Sequence, residues 1–308
     1  MVVAGVVVLY FAVPAALLRW NLDRLVFNAQ SHDRTHEDAR FDVVVSPEAT
    51  VVVRRYGDAG QACVFFFPGQ HGGIGTYERT LFPLMRGSGA DVYAISYPGQ
   101  DGAKGRSRLD LLLGQVASAL SQVSKAARCG MGRSVFVGRS LGATVALLEA
   151  SRFRPRGVLV DGLGADLPSV VRAWIGRHGL LLGWQMLPVR ALLGRQDYAV
   201  APLFGQMPTV PVLVFQGTAD TVTPYALARR AVLGHPNVTF TTVAGGTHQD
   251  AYLLAGAAYA ASLRSLLDGD TPACRFRSSF RCRPGSRGDD DERSTLANEE
   301  IVNRLSQP

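Results

Sequence analysis

Short, continuously apolar runs separated by longer helical stretches constrain this chain more than any other feature of its sequence. Phe41–Val45 and Thr50–Arg55 flank the turn residues Ser46 and Pro47 and read as an antiparallel pair. Then come Cys63–Phe67, Asp91–Tyr97, Ser134–Val137, Gly157–Val160, Val212–Phe215 and Thr239–Val243. The later runs do not alternate apolar with polar, which is the pattern of strands buried on both faces. Helical stretches at Leu109–Ala127, Leu141–Ala150, Pro224–Leu233 and Gln249–Leu267 separate most of them. This order predicts an α/β class with a mostly parallel eight-stranded sheet and helices on both faces. In such sheets ligands bind beyond the carboxyl ends of the strands, so the loops after each run are where chemistry is to be sought.

Composition narrows the class. Over 308 residues, 47% hydrophobic and 19% charged content exclude a disordered chain, and 33 glycines and 16 prolines without a period exclude a collagen-like one. The net charge is +7, yet the arginines are scattered and not interleaved with aromatics, so no nucleic-acid partner is expected. Cys63, Cys129, Cys274 and Cys282 have neither CxxC spacing nor the density of a disulfide scaffold, and they read as buried or tail thiols.

Both ends differ from the body. Val2 to Leu18 carries no charge and is followed by Arg19 and Trp20. As a helix it would be roughly 26 Å long, enough for a thin bilayer, with Trp20 and Arg19 suited to the interface. Residues 1–20 are therefore expected to form an N-terminal membrane anchor, a cleaved signal peptide and a buried or interfacial helix being the alternatives. Arg19, Arg24 and Arg34 favour a cytoplasmic body while Asp23 and Asp33 lie among them, which leaves the side of the membrane open. At the other end, residues 269–308 carry the basic stretch Arg275–Arg287 and the acidic run Asp289–Glu292 and read as a solvated, disordered tail, with a short helix near Leu296–Leu305 as an option. Residues 21–268 remain as a catalytic domain.

Three strand-end loops carry chemistry. Ser134–Val137 leads into Gly138-Arg139-Ser140-Leu141-Gly142, the G-x-S-x-G pattern, and then into a small-residue helix. Serine on such a tight turn needs glycine two residues away on each side so that strand and helix can approach, and its hydroxyl is presented at the sheet edge. A serine hydroxyl is a poor nucleophile unless a base and a group orienting that base are supplied. Asp220 in Gly217-Thr218-Ala219-Asp220 follows the run Val212–Phe215, and His248 in Gly245-Gly246-Thr247-His248 follows the last run. Asp161, at the end of Gly157–Val160, competes with Asp220 for the carboxylate role. The loop Pro68-Gly69-Gln70-His71-Gly72-Gly73 offers the Gln70 N–H as one oxyanion donor, with the Leu141 N–H as the other. A frame built on His71-Gly72-Gly73 sits too far from the strand end to be preferred.

Gly138-Arg139-Ser140-Leu141-Gly142, Gly217-Thr218-Ala219-Asp220 and Gly246-Thr247-His248-Gln249-Asp250, in this order, resemble the α/β-hydrolase superfamily. The loop Phe67 to Gly75, the Tyr97-Pro98-Gly99 turn and the N-terminal apolar segment look more narrowly like its Bem46-like serine hydrolases. Over roughly Leu25 to Leu267 the resemblance implies an α/β-hydrolase fold, with Ser140 as nucleophile, His248 as base, Asp220 as its orienter, and Gln70 and Leu141 as the oxyanion hole. Pro68 stands where that branch usually has histidine, and Gln249 where it usually has asparagine. The expected activity is hydrolysis of an ester or thioester on a small or lipid-like acyl substrate, with no metal and no organic cofactor. Acyl transfer or peptidase action by the same residues, or a non-catalytic binding protein on this fold, are the alternatives. Between Gly162 and Val210 a short lid insertion holds Trp174, Trp184 and Leu180–Leu182, which either cover an acyl pocket or form the core of amphipathic helices. Arg139 and Arg79 leave a carboxylate or phosphate on the substrate as an option.

Overall fold

The computed structural model describes residues 2–27, 31, 32, 34–178, 184–194 and 196–270. In chain order the elements begin with α1 (Val2–Trp20), α2 (Leu22–Val26), β1 (Ala39–Ser46), β2 (Ala49–Tyr56), β3 (Ala62–Phe67), α3 (Ile74–Arg86), β4 (Ala90–Ser96) and α4 (Leu109–Ala126). They continue with β5 (Val135–Arg139), α5 (Leu141–Phe153), β6 (Gly157–Asp161), α6 (Leu167–Gly176), α7 (Val189–Leu193) and α8 (Ala201–Gln206). The last are β7 (Val212–Gly217), α9 (Tyr225–Val232), β8 (Val238–Val243), α10 (Ala251–Leu254) and α11 (Gly256–Asp268). Every apolar run of the sequence forms a strand. The expected closing helix is divided at Ala255, between α10 and α11.

Among the described residues the strands form one eight-stranded sheet in the order β1-β2-β4-β3-β5-β6-β7-β8. The pairs β1/β2 and β2/β4 are antiparallel and all the others parallel. The chain runs from β3 out to β4 and then returns to place β5 on the other side of β3, which makes a topological switch point between β3 and β5. Register brings Phe67 beside Gly138, Arg139 beside Asp161, and Gly217 beside Val243, so the carboxyl ends of β3, β5, β6, β7 and β8 meet at one edge.

The period-2 alternation of each strand splits the core in two. Phe65, Phe67, Phe136, Val158, Val160 and Val214 face α4, α5, α8 and α9, whereas Val64, Phe66, Val137, Leu159 and Phe215 face α3, α10 and α11. Phe65, Phe66 and Phe67 are fully buried, and each such side chain contributes about 1.5–3 kcal/mol relative to exposure.

Three expectations need comment. Cys63 and Cys129 are not free thiols: they form a disulfide that ties the start of β3 to the loop after α4 across 66 residues of sequence. No helix among the described residues is long and apolar enough to cross a membrane. Helix α1 packs onto the body along one side, with Pro14 and Leu18 buried and Phe11 and Ala15 against the core, while Val6, Val8, Leu9, Val13 and Trp20 are exposed. Cys274, Cys282, Leu180–Leu182, the charged runs and the suggested helix at 296–305 lie outside the described residues.

Removing the cross-link in Cys63→Ser/Cys129→Ser should lower unfolding free energy by about 2–4 kcal/mol, read from the urea midpoint. A midpoint unchanged both by this double substitution and by reductant would contradict the disulfide.

Candidate active site

Ser140 stands at the junction of β5 and α5 with φ 56° and ψ −121°, a left-handed conformation that a side chain rarely adopts. Two glycines make the turn sterically feasible. A Cβ on Gly142 would meet the Phe67 carbonyl oxygen at 1.9 Å, and one on Gly138 would meet the Gly142 carbonyl oxygen at 2.3 Å. The Ser140 N–H donates to the Asp161 carbonyl at 3.0 Å, which fixes the turn to the neighbouring strand β6.

The structure brings together the three residues expected at the strand ends. His248 Nδ1 lies 2.8 Å from Asp220 Oδ2, and His248 Nε2 lies 2.9 Å from Ser140 Oγ. Carboxylate oxygens only accept, so Nδ1 carries the proton toward Asp220 and Nε2 is left as acceptor for the serine hydroxyl. Thr223 Oγ1 is 3.2 Å from the same Nδ1.

Asp220 is buried, and its charge is met by hydrogen bonds. Oδ1 accepts from the N–H groups of Val222 and Thr223, both at 2.8 Å, and Oδ2 accepts from Thr223 Oγ1 at 2.7 Å and from Gln216 Nε2 at 3.2 Å. Burial acts to raise this carboxyl, but the bonds from His248 and Thr223 and the attraction of His248 outweigh it and hold it below the ordinary aspartate value. Sequence reasoning missed Gln216. Its fully buried amide, at the end of β7, also donates to the Thr223 carbonyl at 2.6 Å and accepts from the Leu163 N–H at 2.9 Å. The available signal was a polar residue closing an otherwise apolar strand.

Asp161 is placed elsewhere. Its Oδ1 lies 3.4 Å from Arg139 Nε, and burial, opposed by Arg139, pushes its carboxyl up to about 6. Arg139 also donates to the His248 carbonyl and to Tyr77 Oη at 3.1 Å, and its guanidinium stacks 4.8 Å from the Tyr252 ring centre. Arg139, which the sequence offered as a receiver for a charged group of a substrate, lines the cavity described below with its guanidinium engaged by His248, Tyr77 and Asp161. Arg79 is exposed and does not line that cavity.

The loop after β3 is held by the Tyr97-Pro98-Gly99 turn and the residues that follow it. Tyr97 Oη donates to the Pro68 carbonyl at 3.2 Å, Gln100 Nε2 to the Gln70 carbonyl at 2.6 Å, and the Gly73 N–H to Asp101 Oδ2 at 3.1 Å. Gln70 thereby lines a cavity together with Ser140, Leu141 and His248, and Leu141 is the first residue of α5. This cavity has a volume of about 850 Å³. The two readings of the insertion divide between its tryptophans, since Trp174 lines the cavity and Trp184 packs against the core with its ring 6.0 Å from Tyr10. Among the described residues no group of three or more His, Cys, Asp or Glu is placed to hold a metal ion.

No protein-family model and no curated protein matches the sequence. Solved structures do match. An esterase of Pyrococcus furiosus superposes with a TM-score of 0.62 at 12% identity, over 78% of this chain and 95% of that one. A structure from a study of carboxylesterases of the thaumarchaeon Nitrososphaera gargenis gives 0.54 at 12% identity over 74% and 97%. A bromoperoxidase from Bacillus anthracis gives 0.56 at 12% identity over 75% and 100%. The chain has the α/β-hydrolase fold. At these identities the likeness is one of architecture, and the chemistry rests on the residues of this chain.

Replacing Gln216 by leucine strands the buried Leu163 N–H and Thr223 carbonyl and takes one donor from Asp220. Gln216→Leu should lower unfolding free energy by about 1–3 kcal/mol in urea titration. A midpoint equal to that of the parent would show that this amide does not hold the Asp220 loop.

Proposed function

We propose that the protein is a serine hydrolase that cleaves an ester or thioester through an acyl-enzyme. The observation that carries this reading is the unbroken line from Asp220 through His248 to Ser140 Oγ, with both links at hydrogen-bond distance. Ser140 Oγ attacks the acyl carbon while His248 Nε2 takes its proton. Collapse of the tetrahedral adduct breaks the bond to the alcohol or thiol, which leaves with the proton from His248. Water then attacks the acyl-enzyme, gives a proton to His248, and Ser140 recovers it as the acid departs. Asp220, ionised because its oxygens accept from Thr223, Val222 and Gln216, keeps the imidazole in the required tautomer and offsets its charge when protonated. We assign the oxyanion hole to the N–H groups of Gln70 and Leu141, since both residues line the cavity beside Ser140 and Leu141 opens a helix whose N-terminal end favours negative charge.

The narrower placement among Bem46-like hydrolases rests on the Phe67 to Gly75 loop and the Tyr97-Pro98-Gly99 turn. Membrane association through residues 1–20 is supported by the exposed apolar side chains of α1 and by Trp20 beside Arg19. The Cys63–Cys129 disulfide supports placing the body in an oxidising compartment.

With p-nitrophenyl acetate as substrate, Ser140→Ala and His248→Ala should each lower kcat on the order of 10⁴-fold or more. Asp220→Asn should cost about 10⁴-fold by inverting the tautomer, and Asp161→Asn far less. Parent-level turnover in Ser140→Ala would overturn the mechanism, and a larger loss in Asp161→Asn than in Asp220→Asn would move the orienting role to Asp161.

A further inference from the structure

The cavity beside Ser140 has two kinds of lining. Polar groups from the strand-end loops, Gln70, Ser140 and His248, line it, and so do apolar side chains from two helices. These are Leu22, Leu25 and Val26 of α2 and Val170, Val171 and Trp174 of α6. Helix α2 belongs to the N-terminal segment that precedes the sheet, so the first helices help to line this groove.

The charged side chains that reach this groove are engaged with the protein. Asp166 caps α6 by accepting from the Ser169 N–H at 2.7 Å and pairs with Arg190 at 2.7 Å. Arg177 donates to the Thr221 carbonyl, and Arg139 is held as described above. An uncharged guest is what such walls accommodate. Leu25 and Trp174 are 39% and 43% exposed, large apolar surfaces left facing water along the groove. The cavity volume of about 850 Å³ lies toward the upper end of the roughly 300–1,000 Å³ usual for small-molecule sites, far beyond what an acetyl group fills.

We propose that the groove between α2 and α6 binds the acyl chain of a medium- to long-chain fatty acyl ester, and that α2 forms the wall that selects its length. The chain lies with its carbonyl at Ser140 and its methylenes between Leu22, Leu25, Val170 and Trp174. Catalysis of that ester rests on the hydrolase reading above, whereas occupancy of the groove does not. Burying each added methylene should raise kcat/KM about fourfold until the groove is filled.

The test uses the full chain with p-nitrophenyl acetate, butyrate, octanoate and decanoate. From butyrate to octanoate kcat/KM should rise on the order of a hundredfold. Leu25→Asp and Trp174→Ser, one from each wall, should each lower the octanoate-to-acetate ratio of kcat/KM tenfold or more. In parallel, decanamide and acetamide are titrated into Ser140→Ala protein by calorimetry. Decanamide should bind far more tightly than acetamide, and Leu25→Asp in that background should weaken it about tenfold. Equal kcat/KM for acetate and octanoate would overturn the groove assignment and leave the hydrolase reading standing. Absence of hydrolysis of every ester, with decanamide still bound and sensitive to Leu25→Asp, would overturn the hydrolase reading and leave the groove assignment standing. Tight decanamide binding unaffected by Leu25→Asp and Trp174→Ser would place the acyl site elsewhere.

Discussion

A single strained residue organises the site. Ser140 holds a left-handed backbone at the end of β5, a conformation that costs of order 1–3 kcal/mol and persists only where its surroundings over-determine it. Here they do. β5 lies between β3 and β6 in a sheet buried on both faces, α5 packs Ala143, Ala146, Leu147 and Ala150 into the core, and Gly142 lets the first turn of α5 approach the end of β3. The strain turns the hydroxyl away from the core to the one edge where five carboxyl ends meet.

The other groups reach Ser140 from loops, and buried polar contacts fix those loops. Gln216 and Thr223 hold Asp220 in an ionised state within a dry setting, which is costly unless each oxygen is satisfied. Arg139, next in sequence to the serine, reaches the backbone of His248, the ring of Tyr252, the hydroxyl of Tyr77 and the carboxylate of Asp161. One cation thus joins β5, β6, α3, α10 and the histidine loop. Asp220, His248 and Ser140 are joined by two contacts, and the surrounding polar network sets the precision of both.

Much of this was legible in the sequence because parallel strands at the centre of a sheet are apolar on both faces and stand out as unbroken runs. The run Asp91–Tyr97 matches β4 to within a residue at each end, and Thr239–Val243 falls within β8. Ser140, Asp220 and His248 were legible because each follows such a run and is set among glycine or turn residues. Side-chain partnerships across long sequence distances were not legible. The link from Cys63 to Cys129 spans 66 residues with no spacing signature, and Gln216 shows its role only once Leu163 and Thr223 are beside it. Which of Asp220 and Asp161 lies against His248 Nδ1 was not legible either, because the pairing of Asp161 with Arg139 depends on strand register. The apolar N-terminus read as a membrane segment from hydropathy alone, and its packing against the body required the tertiary structure.

The central claim is that Ser140 is an activated nucleophile, and active-site labelling tests it most directly. A fluorophosphonate probe, applied to the full chain with the modified peptide mapped by mass spectrometry, should label Ser140 and leave folded Ser140→Ala and His248→Ala proteins unlabelled. A folded parent protein that stays unlabelled, or one labelled at a different serine, would contradict the account.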